Sequence, residues 1–286
     1  MKKPAFSGRA DSVTSKTILA KILRGRAFHY ASFCLELLHK NCEDTELRAI
    51  TYKGGGLSAR EFKFPKYEFN TISHNYPNSE QIIDAHIEGR GLYFVVNDGG
   101  TTDIEITLCR AFFVEWDDRP KEDQLYLYRE LGLPIPTFQL DTGGKSIHNY
   151  WVLKKPVAAE VWKPIQIRLV DYCKADKNIK DASRCMRLAG FYYMIGEAEP
   201  TNKSEIINIS GKEYLVEDIA QVLPKPKVEA PRYKKKITNS NWTIRDIGEA
   251  LDAIPQRVSG SNTYEEYRQM AWGLKAIVKD IGLPET

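Results

Sequence analysis

Residues 109–153 carry the densest β-strand signal of the chain. They begin with the apolar run CRAFFVEW at 109–116 and end with TFQLD at 137–141 and SIHNYWVL at 146–153. Short apolar runs bounded by turn residues are typical of buried strands. The last two runs flank the sequence TGGK, and two strand patterns around such a glycine turn predict a β-hairpin.

The segments on either side of this region alternate between helical and strand patterns. Apolar residues at helical spacing predict helices, and short apolar runs predict strands. The last predicted strand segment would be a pair of strands around Ser210-Gly211. The predicted helices lie at 17–39, 79–90, 120–131 and 157–175, and the predicted strands lie at 91–96, 184–193 and 205–214.

A change of composition at 224–236 marks the best domain boundary. The segment PKPKVEAPRYKKK holds three prolines and six Lys or Arg residues, which predicts an extended basic linker. Beyond it, two amphipathic stripes with capping-box starts predict two helices. Two helices make a thin core, so we expect them to begin a longer domain. We predict a core at 1–223, a linker at 224–240 and a helical unit at 241–286.

Composition excludes several classes of protein. The 286 residues are 42% hydrophobic and 28% charged, which is ordinary for a globular protein and argues against global disorder. No apolar run approaches the length of a membrane span, and the N-terminus lacks a signal-peptide pattern, so we expect a cytoplasmic protein without a membrane partner. Five scattered cysteines without a CxxC pair argue against a disulfide framework and a structural zinc site.

The charge is nearly balanced overall but uneven along the chain. Forty-one Lys and Arg residues against 38 Asp and Glu residues give a net charge of +3. Residues 1–30 hold seven Lys or Arg and one acid, and the predicted linker is basic as well. Both segments could contact polyanions, although such runs are more often solvated surface.

The first candidate site is the pair Glu115 and Asp117. If the strand at 109–116 continues, both side chains project from one face and repel each other unless a cation lies between them. Mg²⁺ and Mn²⁺ prefer carboxylate oxygens. The simpler alternative is a strand end that frays into solvent, where two acids need no partner.

The second candidate site is the sequence Gly143-Gly144-Lys145-Ser146-Ile147-His148. Ser146 and His148 share a face of the predicted strand, and the two glycines would let backbone N–H groups approach an anion. A hydroxyl, an imidazole and an ammonium group suit a triphosphate. The spacing is not that of a P-loop. A plain hairpin turn with a surface lysine and a hydrogen-bonded histidine explains the sequence equally well.

The third candidate is Asp181, which stands before the arginine-bearing sequence SRCMRL at 183–188. A single acid before a strand is usually a turn or cap residue. Either arginine, Arg184 or Arg187, could pair with this acid or with a phosphate. A third carboxylate would complete a two-metal site that activates a 3′-hydroxyl and stabilises a leaving pyrophosphate.

The order ExD, SxH and then D followed by SRxxRLAGF resembles the three motifs of the archaeo-eukaryotic primase superfamily. The likeness is greatest to the primase–polymerases of plasmids, phages and other mobile elements. It covers about 90–220, and the segment 241–286 resembles the helical primase C-terminal domain that often follows this core. One departure is the glutamate in the first position of the ExD pair, where many members have aspartate.

The resemblance implies a role for each motif and an α+β fold. That fold has an RRM-like, mostly antiparallel sheet beside an N-terminal α/β module, with a small helical unit after it. The catalytic and metal-binding residues would be Glu115, Asp117 and Asp181, with Mg²⁺ or Mn²⁺ in a two-metal site. The nucleotide-binding residues would be Lys145, Ser146, His148 and Arg187.

The resemblance also implies a DNA primase or polymerase. Its partners would be a single-stranded DNA template and (d)NTPs, together with a helicase domain or other replication proteins, and it would associate with the nucleoid. Two alternatives remain open. A metal-dependent nuclease or nicking initiator would use the same acids to cleave DNA without nucleotides. A non-catalytic origin-binding protein would bind DNA even without Glu115.

Overall fold

The protein is described from a computed structural model, in which residues 10–52, 56–65 and 79–225 and five residues between 243 and 252 can be described. The chain divides into two compact units, 1–226 and 227–286. The elements below all belong to the first unit. The predicted linker beyond residue 225 and the predicted helices at 241–286 lie almost wholly outside the described residues. None of the described helices is long and apolar enough to cross a membrane.

Each predicted helical segment is helical in the structure, with differences in detail. The helix predicted from 17 begins at Ala10, and the segment 120–131 forms two short helices instead of one. The helix Val216–Ala220 lies in a segment without a predicted helix. The helical elements are α1 (Ala10–Ile22), a π-helical turn (Leu23–Ala27), α2 (Phe28–Leu37), α3 (Ser79–Ile87), α4 (Lys121–Gln124), α5 (Leu127–Glu130), α6 (Ala159–Cys173), a 3₁₀ turn (Lys177–Lys180) and α7 (Val216–Ala220).

The strands of the described residues form two four-stranded antiparallel sheets and a separate two-stranded hairpin. They are mainly short, and three of them, β1, β2 and β9 in the following list, belong to segments without a predicted strand. The strands are β1 (Glu46–Thr51), β2 (Arg60–Lys63), β3 (Arg90–Val95), β4 (Leu108–Val114), β5 (Phe138–Asp141), β6 (Ile147–Ala158), β7 (Cys185–Arg187), β8 (Tyr192–Gly196), β9 (Glu199–Lys203) and β10 (Glu205–Ile209).

Three predicted strands differ from the observed ones. The strand predicted at 109–116 ends at Val114, before the acids. The strand predicted at 184–193 is divided into β7 and β8 by a turn in which Gly190 has a φ of +93°. The strand pair predicted at 205–214 is the single strand β10, which pairs with β5 instead of a neighbour across a turn.

The order of strands brings distant motifs to one place. The first sheet has the order β2-β1-β3-β7 and the second has the order β10-β5-β6-β4. The predicted hairpin is confirmed, because β5 and β6 pair antiparallel across the glycine turn. The chain leaves the second sheet after β6 and joins the first sheet at β7. Residues at the end of β4 and the start of β6 therefore face a common space with residues of β3 and β7.

Buried aromatic residues fix the end of β4 where the first acids stand. Trp116 is fully buried between the two acids, and its indole N–H donates to the carbonyl of Cys173 at 2.9 Å. Gln166 of α6 bridges β4, donating to the carbonyl of Phe113 at 2.7 Å. A buried tryptophan whose polar atom is satisfied makes a rigid anchor. The backbone that carries Glu115 and Asp117 is thus held against α6.

Candidate active site

A cavity of about 370 Å³ lies between the ends of the two sheets. Its walls come from β3 and β7 of the first sheet, from the start of β6 in the second sheet and from the segments after β4 and α6. The cavity gathers residues that are far apart in the chain, such as Tyr93 and Arg187, which are 94 positions apart. Its lining includes six of the seven predicted site residues: Glu115, Asp117, Lys145, Ser146, His148 and Arg187.

The two acids after β4 are each hydrogen-bonded to a residue at the start of β6. The hydroxyl of Ser146 donates to Asp117 Oδ1, and Nε2 of His148 lies 3.1 Å from Glu115 Oε2. The side chains of Glu115 and His148 are 12% and 4% exposed. Although the regular strand ends at Val114, the alternation continues, because Trp116 points into the core and both acids line the cavity.

The proton positions at His148 follow from its two neighbours. An ionised carboxylate only accepts hydrogen bonds, so Nε2 carries the proton that is shared with Glu115. The other nitrogen, Nδ1, lies 3.2 Å from the buried hydroxyl of Tyr150, which can donate to it when the ring is neutral and accept from it when the ring is charged. The ring is therefore oriented by the buried tyrosine and presents an N–H to the cavity.

The pKa of Glu115 reflects opposing influences. Burial raises the pKa of this carboxyl. The charge and hydrogen bond of His148, the charge of Arg184 and the hydrogen bond of Ser146 lower it. The lowering effects are the larger ones, so the pKa lies below the usual range of glutamate. Favourable interactions with the charged form outweigh desolvation here. Glu115 is therefore ionised at neutral pH despite being largely buried.

The glycine turn before β6 does not present free backbone donors to the cavity. The N–H of Gly143 bonds to Asp141 Oδ1 at 2.7 Å, and that of Gly144 bonds to the hydroxyl of Thr142 at 3.2 Å. The idea that these N–H groups receive an anion is therefore not supported, because side chains of the turn already use them. Lys145 is exposed at the cavity mouth and makes no ion pair with any described residue.

The structure places Asp176, and not Asp181, in the wall of this cavity. The backbone N–H of Asp176 donates to the carbonyl of Glu115 at 3.1 Å, which sets the two residues side by side. Asp176 caps the 3₁₀ turn Lys177–Lys180, accepting from the backbone N–H of Asn178 at 3.0 Å. Asp181 follows that turn, and its carbonyl accepts from the backbone N–H of Arg184 at 3.2 Å. Sequence reasoning missed Asp176.

Arg187 is held between two tyrosine rings on the opposite side of the cavity. Its guanidinium carbon lies 4.2 Å from the ring centroid of Tyr93 and 5.1 Å from that of Tyr193, and Nη2 donates to the Tyr93 hydroxyl at 2.6 Å. Its Nε and Nη1 are buried and have no hydrogen-bond partner among the described residues. Gly91 leaves the room for this guanidinium, since a Cβ there would collide with Nη1. An arginine fixed by its faces with unused N–H groups is prepared to bind an anion.

Arg184 repeats this feature less completely. Its Nε is also buried, with no partner in the part of the chain that the structure describes, and its Nη2 lies 3.9 Å from Asp176 Oδ2. An unsatisfied buried donor lowers the stability of the folded protein, so two such arginines in one cavity are unusual. The arrangement indicates an anionic ligand that would satisfy both.

The fit of a divalent cation depends on the acids. Glu115, Asp117 and Asp176 supply the hard carboxylate oxygens that Mg²⁺ and Mn²⁺ prefer, and all three line one cavity. The described residues contain no group of three or more His, Cys, Asp or Glu side chains spaced to hold an ion. The hydrogen bonds from His148 and Ser146 engage one oxygen each of Glu115 and Asp117. The donor chemistry fits a metal.

The fold and the cavity define an α+β protein in which carboxylates and arginines line one cavity. No protein-family model matches the chain, and no curated protein sequence matches it either. Among solved structures, the archaeo-eukaryotic primase domain of the cyanophage S-2L primase–polymerase is similar, with 34% identity and a TM-score of 0.60 over 68% of this chain and 97% of that one. The chain belongs to the archaeo-eukaryotic primase superfamily, with a primase–polymerase-like core.

Two further solved structures are similar at lower identity. Primase RepB′ has 14% identity and a TM-score of 0.47 over 89% of this chain and 69% of that one. The catalytic domain of RepB′ in complex with initiator DNA has 16% identity and a TM-score of 0.45 over 69% of this chain and 93% of that one.

Proposed function

We propose that the protein is a DNA-dependent nucleotidyltransferase of the primase–polymerase kind. It would join (d)NTPs to a 3′-hydroxyl opposite a single-stranded DNA template. The 3′-oxygen would attack the α-phosphorus, lose its proton and release pyrophosphate. The observation that carries the proposal is that three carboxylates and two arginines line one cavity, and that these arginines have buried N–H groups that no described atom satisfies.

The carboxylate side supports the chemistry of the 3′-hydroxyl. Glu115, Asp117 and Asp176 are the oxygen donors that would hold divalent metal ions. Mg²⁺ or Mn²⁺ bound there would supply Lewis-acid stabilisation of the reacting oxygens. Asp176 takes the part that the sequence pattern assigned to Asp181, because Asp176 lines the cavity beside Glu115. The cavity geometry offers Asp181 no such support.

The arginine side supports binding of the triphosphate. Arg187 has two unused donors, Nε and Nη1, and Arg184 has one. Phosphate oxygens accept several charge-assisted hydrogen bonds at once, so a triphosphate would satisfy donors that the free protein leaves buried. Lys145, exposed at the cavity mouth, would add charge to the outer phosphates.

Ser146 and His148 connect the two sides. Each holds one carboxylate through a proton of its own. The same hydroxyl and imidazole N–H can donate instead to a phosphate oxygen when the carboxylate is engaged elsewhere. They would therefore orient the acids in the free protein and contact the nucleotide in the complex.

A primer-extension assay tests the proposal. Labelled primer on a single-stranded template is incubated with dNTPs and Mn²⁺, using wild type, Asp117→Asn and, as a matched control, Asp118→Asn. Asp118 is exposed and is not among the residues that line the cavity. We expect extension by wild type and the control and a loss of at least about 100-fold in Asp117→Asn, the scale for removing one electrostatic group from an active site.

The same assay separates the two alternatives. Shortening of the labelled strand without added dNTPs would favour a nuclease. Binding of DNA without extension or cleavage by the wild type would favour a non-catalytic origin-binding protein. Full extension by Asp117→Asn would refute the assignment of the acids.

A further inference from the structure

A second hollow lies on the other face of the β8–β9 hairpin. Its volume is about 290 Å³, and its walls come from the end of α1, the π-helical turn and the hairpin. Three of its lining residues are cations and none of the described lining residues is acidic. We call it the basic groove and define it by Lys21, Arg26, Tyr192 and Lys203.

Two of the groove cations are not neutralised. Lys21 and Arg26 are exposed, and neither makes an ion pair with any described residue. Their neighbour Arg24 differs, because its Nε donates to Glu80 Oε1 at 2.8 Å and its Nη2 donates to the other oxygen of the same carboxylate. The nearby acid is thus taken by Arg24, which leaves the charge of Lys21 and Arg26 to the groove.

The third cation is held in place by its surroundings. Lys203 is the cross-strand partner of Tyr192, and its Nζ lies 3.7 Å from the ring centroid of Tyr30. A cation over a tyrosine ring is attracted to it. Glu205 lies 3.4 Å from the same ammonium and partly compensates its charge. Lys203 therefore shapes the groove together with its aromatic neighbours, and Lys21 and Arg26 carry most of its charge.

The two walls of the groove are in direct contact. Gly190, with a φ of +93°, lies so close to the carbonyl of Ala27 that a Cβ would collide with it. The N–H of Gly190 also donates to the carbonyl of Ser204 at 2.8 Å. The turn before β8 therefore rests on the π-helical turn, and the groove exists before any ligand binds.

Strand β8 connects the groove to the cavity. Successive side chains of a strand point to opposite faces, and here Tyr193 lines the cavity while Tyr192 lines the basic groove. A single-stranded nucleic acid in the groove would be separated from the cavity by strand β8. Nucleotides held in the groove would not themselves pair with the incoming nucleotide, so the groove would hold a part of the template strand away from the templating base.

We propose that the basic groove binds the phosphate backbone of the single-stranded template, with Tyr192 beside a base. The inference rests on the proposed function, since it names the surface that holds the template. Single strands are bound by grooves that combine positive charge with aromatic side chains. Cations that neutralise phosphates release counterions, so the affinity of the groove must depend on salt.

Fluorescence anisotropy of a labelled oligo(dT), titrated with protein at several salt concentrations, tests the proposal. The variant is Lys21→Ala with Arg26→Ala. The matched control is Lys154→Ala with Lys155→Ala, an exposed pair on β6. Two lost phosphate contacts should lower the slope of log K against log salt by about 1.4 and weaken binding about 25-fold at 0.1 M salt. Lys21→Arg with Arg26→Lys should keep the wild-type slope.

The outcomes distinguish this inference from the proposed function. An unchanged slope in the alanine variant, or an equal loss in the control pair, overturns the groove. Glu115→Gln should lose nucleotide incorporation but keep the wild-type slope, because it leaves the groove intact. If the wild type incorporates no nucleotide while the groove variant still loses its slope, the polymerase proposal fails and the groove stands as a binding surface for single strands.

Discussion

The two sides of the cavity satisfy their charges in opposite ways. On the acidic side, Glu115 and Asp117 are each paired with a donor of the protein, His148 or Ser146. On the basic side, Arg184 and Arg187 keep buried N–H groups that no described atom satisfies. The acids are thus hydrogen-bonded within the protein, whereas the arginines have N–H groups to offer to an anion. The difference shows which side of the cavity is the better candidate for binding an anion.

Replacing the third acid should give the largest effect. Asp176→Asn keeps the shape of the side chain and its cap on the 3₁₀ turn but removes the charge beside Glu115. We expect primer extension to fall by at least about 100-fold, with little change in the melting temperature. Asp181→Asn is the matched comparison and should retain most activity. The reverse ranking would restore Asp181 as the third acid and remove Asp176 from the site.

Changing the arginine side should give a smaller and different effect. Arg187→Lys keeps the charge but loses the planar donors that lie between the two tyrosine rings. A lost hydrogen bond to a charged group costs about 1.5–3 kcal/mol, so the KM for the nucleotide should rise about 10- to 150-fold while kcat changes less. Steady-state kinetics measure both. A fall in kcat at unchanged KM would contradict a role in nucleotide binding.

The smallest effect concerns His86, a buried residue that links the backbones of Arg90 and Tyr192. Its Nδ1 lies 2.7 Å from the carbonyl of Arg90, and its Nε2 accepts from the backbone N–H of Tyr192 at 3.2 Å. With both nitrogens occupied by one donor and one acceptor, the ring fits only as neutral imidazole. The pKa of His86 is lowered from 6.5 to about 4, mainly by burial. The hydrogen bond to the Arg90 carbonyl raises this pKa, and the charge of Arg187 lowers it further.

Because the folded pKa lies below the unfolded value, the unfolded chain takes up the proton first. Stability is therefore full above pH 6.5 and falls as the pH drops towards 4. We expect His86 to reduce the free energy of unfolding by about 2 kcal/mol at pH 5 relative to pH 8. Urea titrations at both pH values measure this, and His86→Gln should lose that part of the dependence. His29→Gln, an exposed control, should keep it; equal behaviour of the two variants would contradict the assignment.

The strands and motifs near β4 and β6 could be predicted because their signals are local. Alternation and the glycine turn define the hairpin, Ser146 and His148 lie at the start of its second strand, and Glu115 and Asp117 directly follow β4, which pairs with that strand. Asp176 could not be found in this way. It follows α6 and precedes a 3₁₀ turn, whereas Asp181 stands directly before the arginine motif and fits the sequence pattern better. Long-range contacts bring it to the cavity, among them the bond from Asp176 N–H to the Glu115 carbonyl.

The topology after residue 184 escaped prediction for a related reason. The segment 184–193 has the composition of one strand, but Gly190 turns the chain, so that β7 joins the first sheet and β8 pairs with β9. Pairing with β3 depends on contacts about 90 positions apart in the chain, and no local pattern encodes them. The same turn directs Tyr193 to the cavity and Tyr192 to the basic groove.

The most direct test of the central claim is a crystal of the protein soaked with a deoxynucleoside triphosphate and Mn²⁺. Anomalous scattering at the manganese edge locates the metal without reference to the surrounding density. The account predicts manganese among Glu115, Asp117 and Asp176, with the triphosphate accepting from Nε and Nη1 of Arg187. A triphosphate bound away from Arg187, or manganese beside Asp181 and absent from the other three acids, would contradict it.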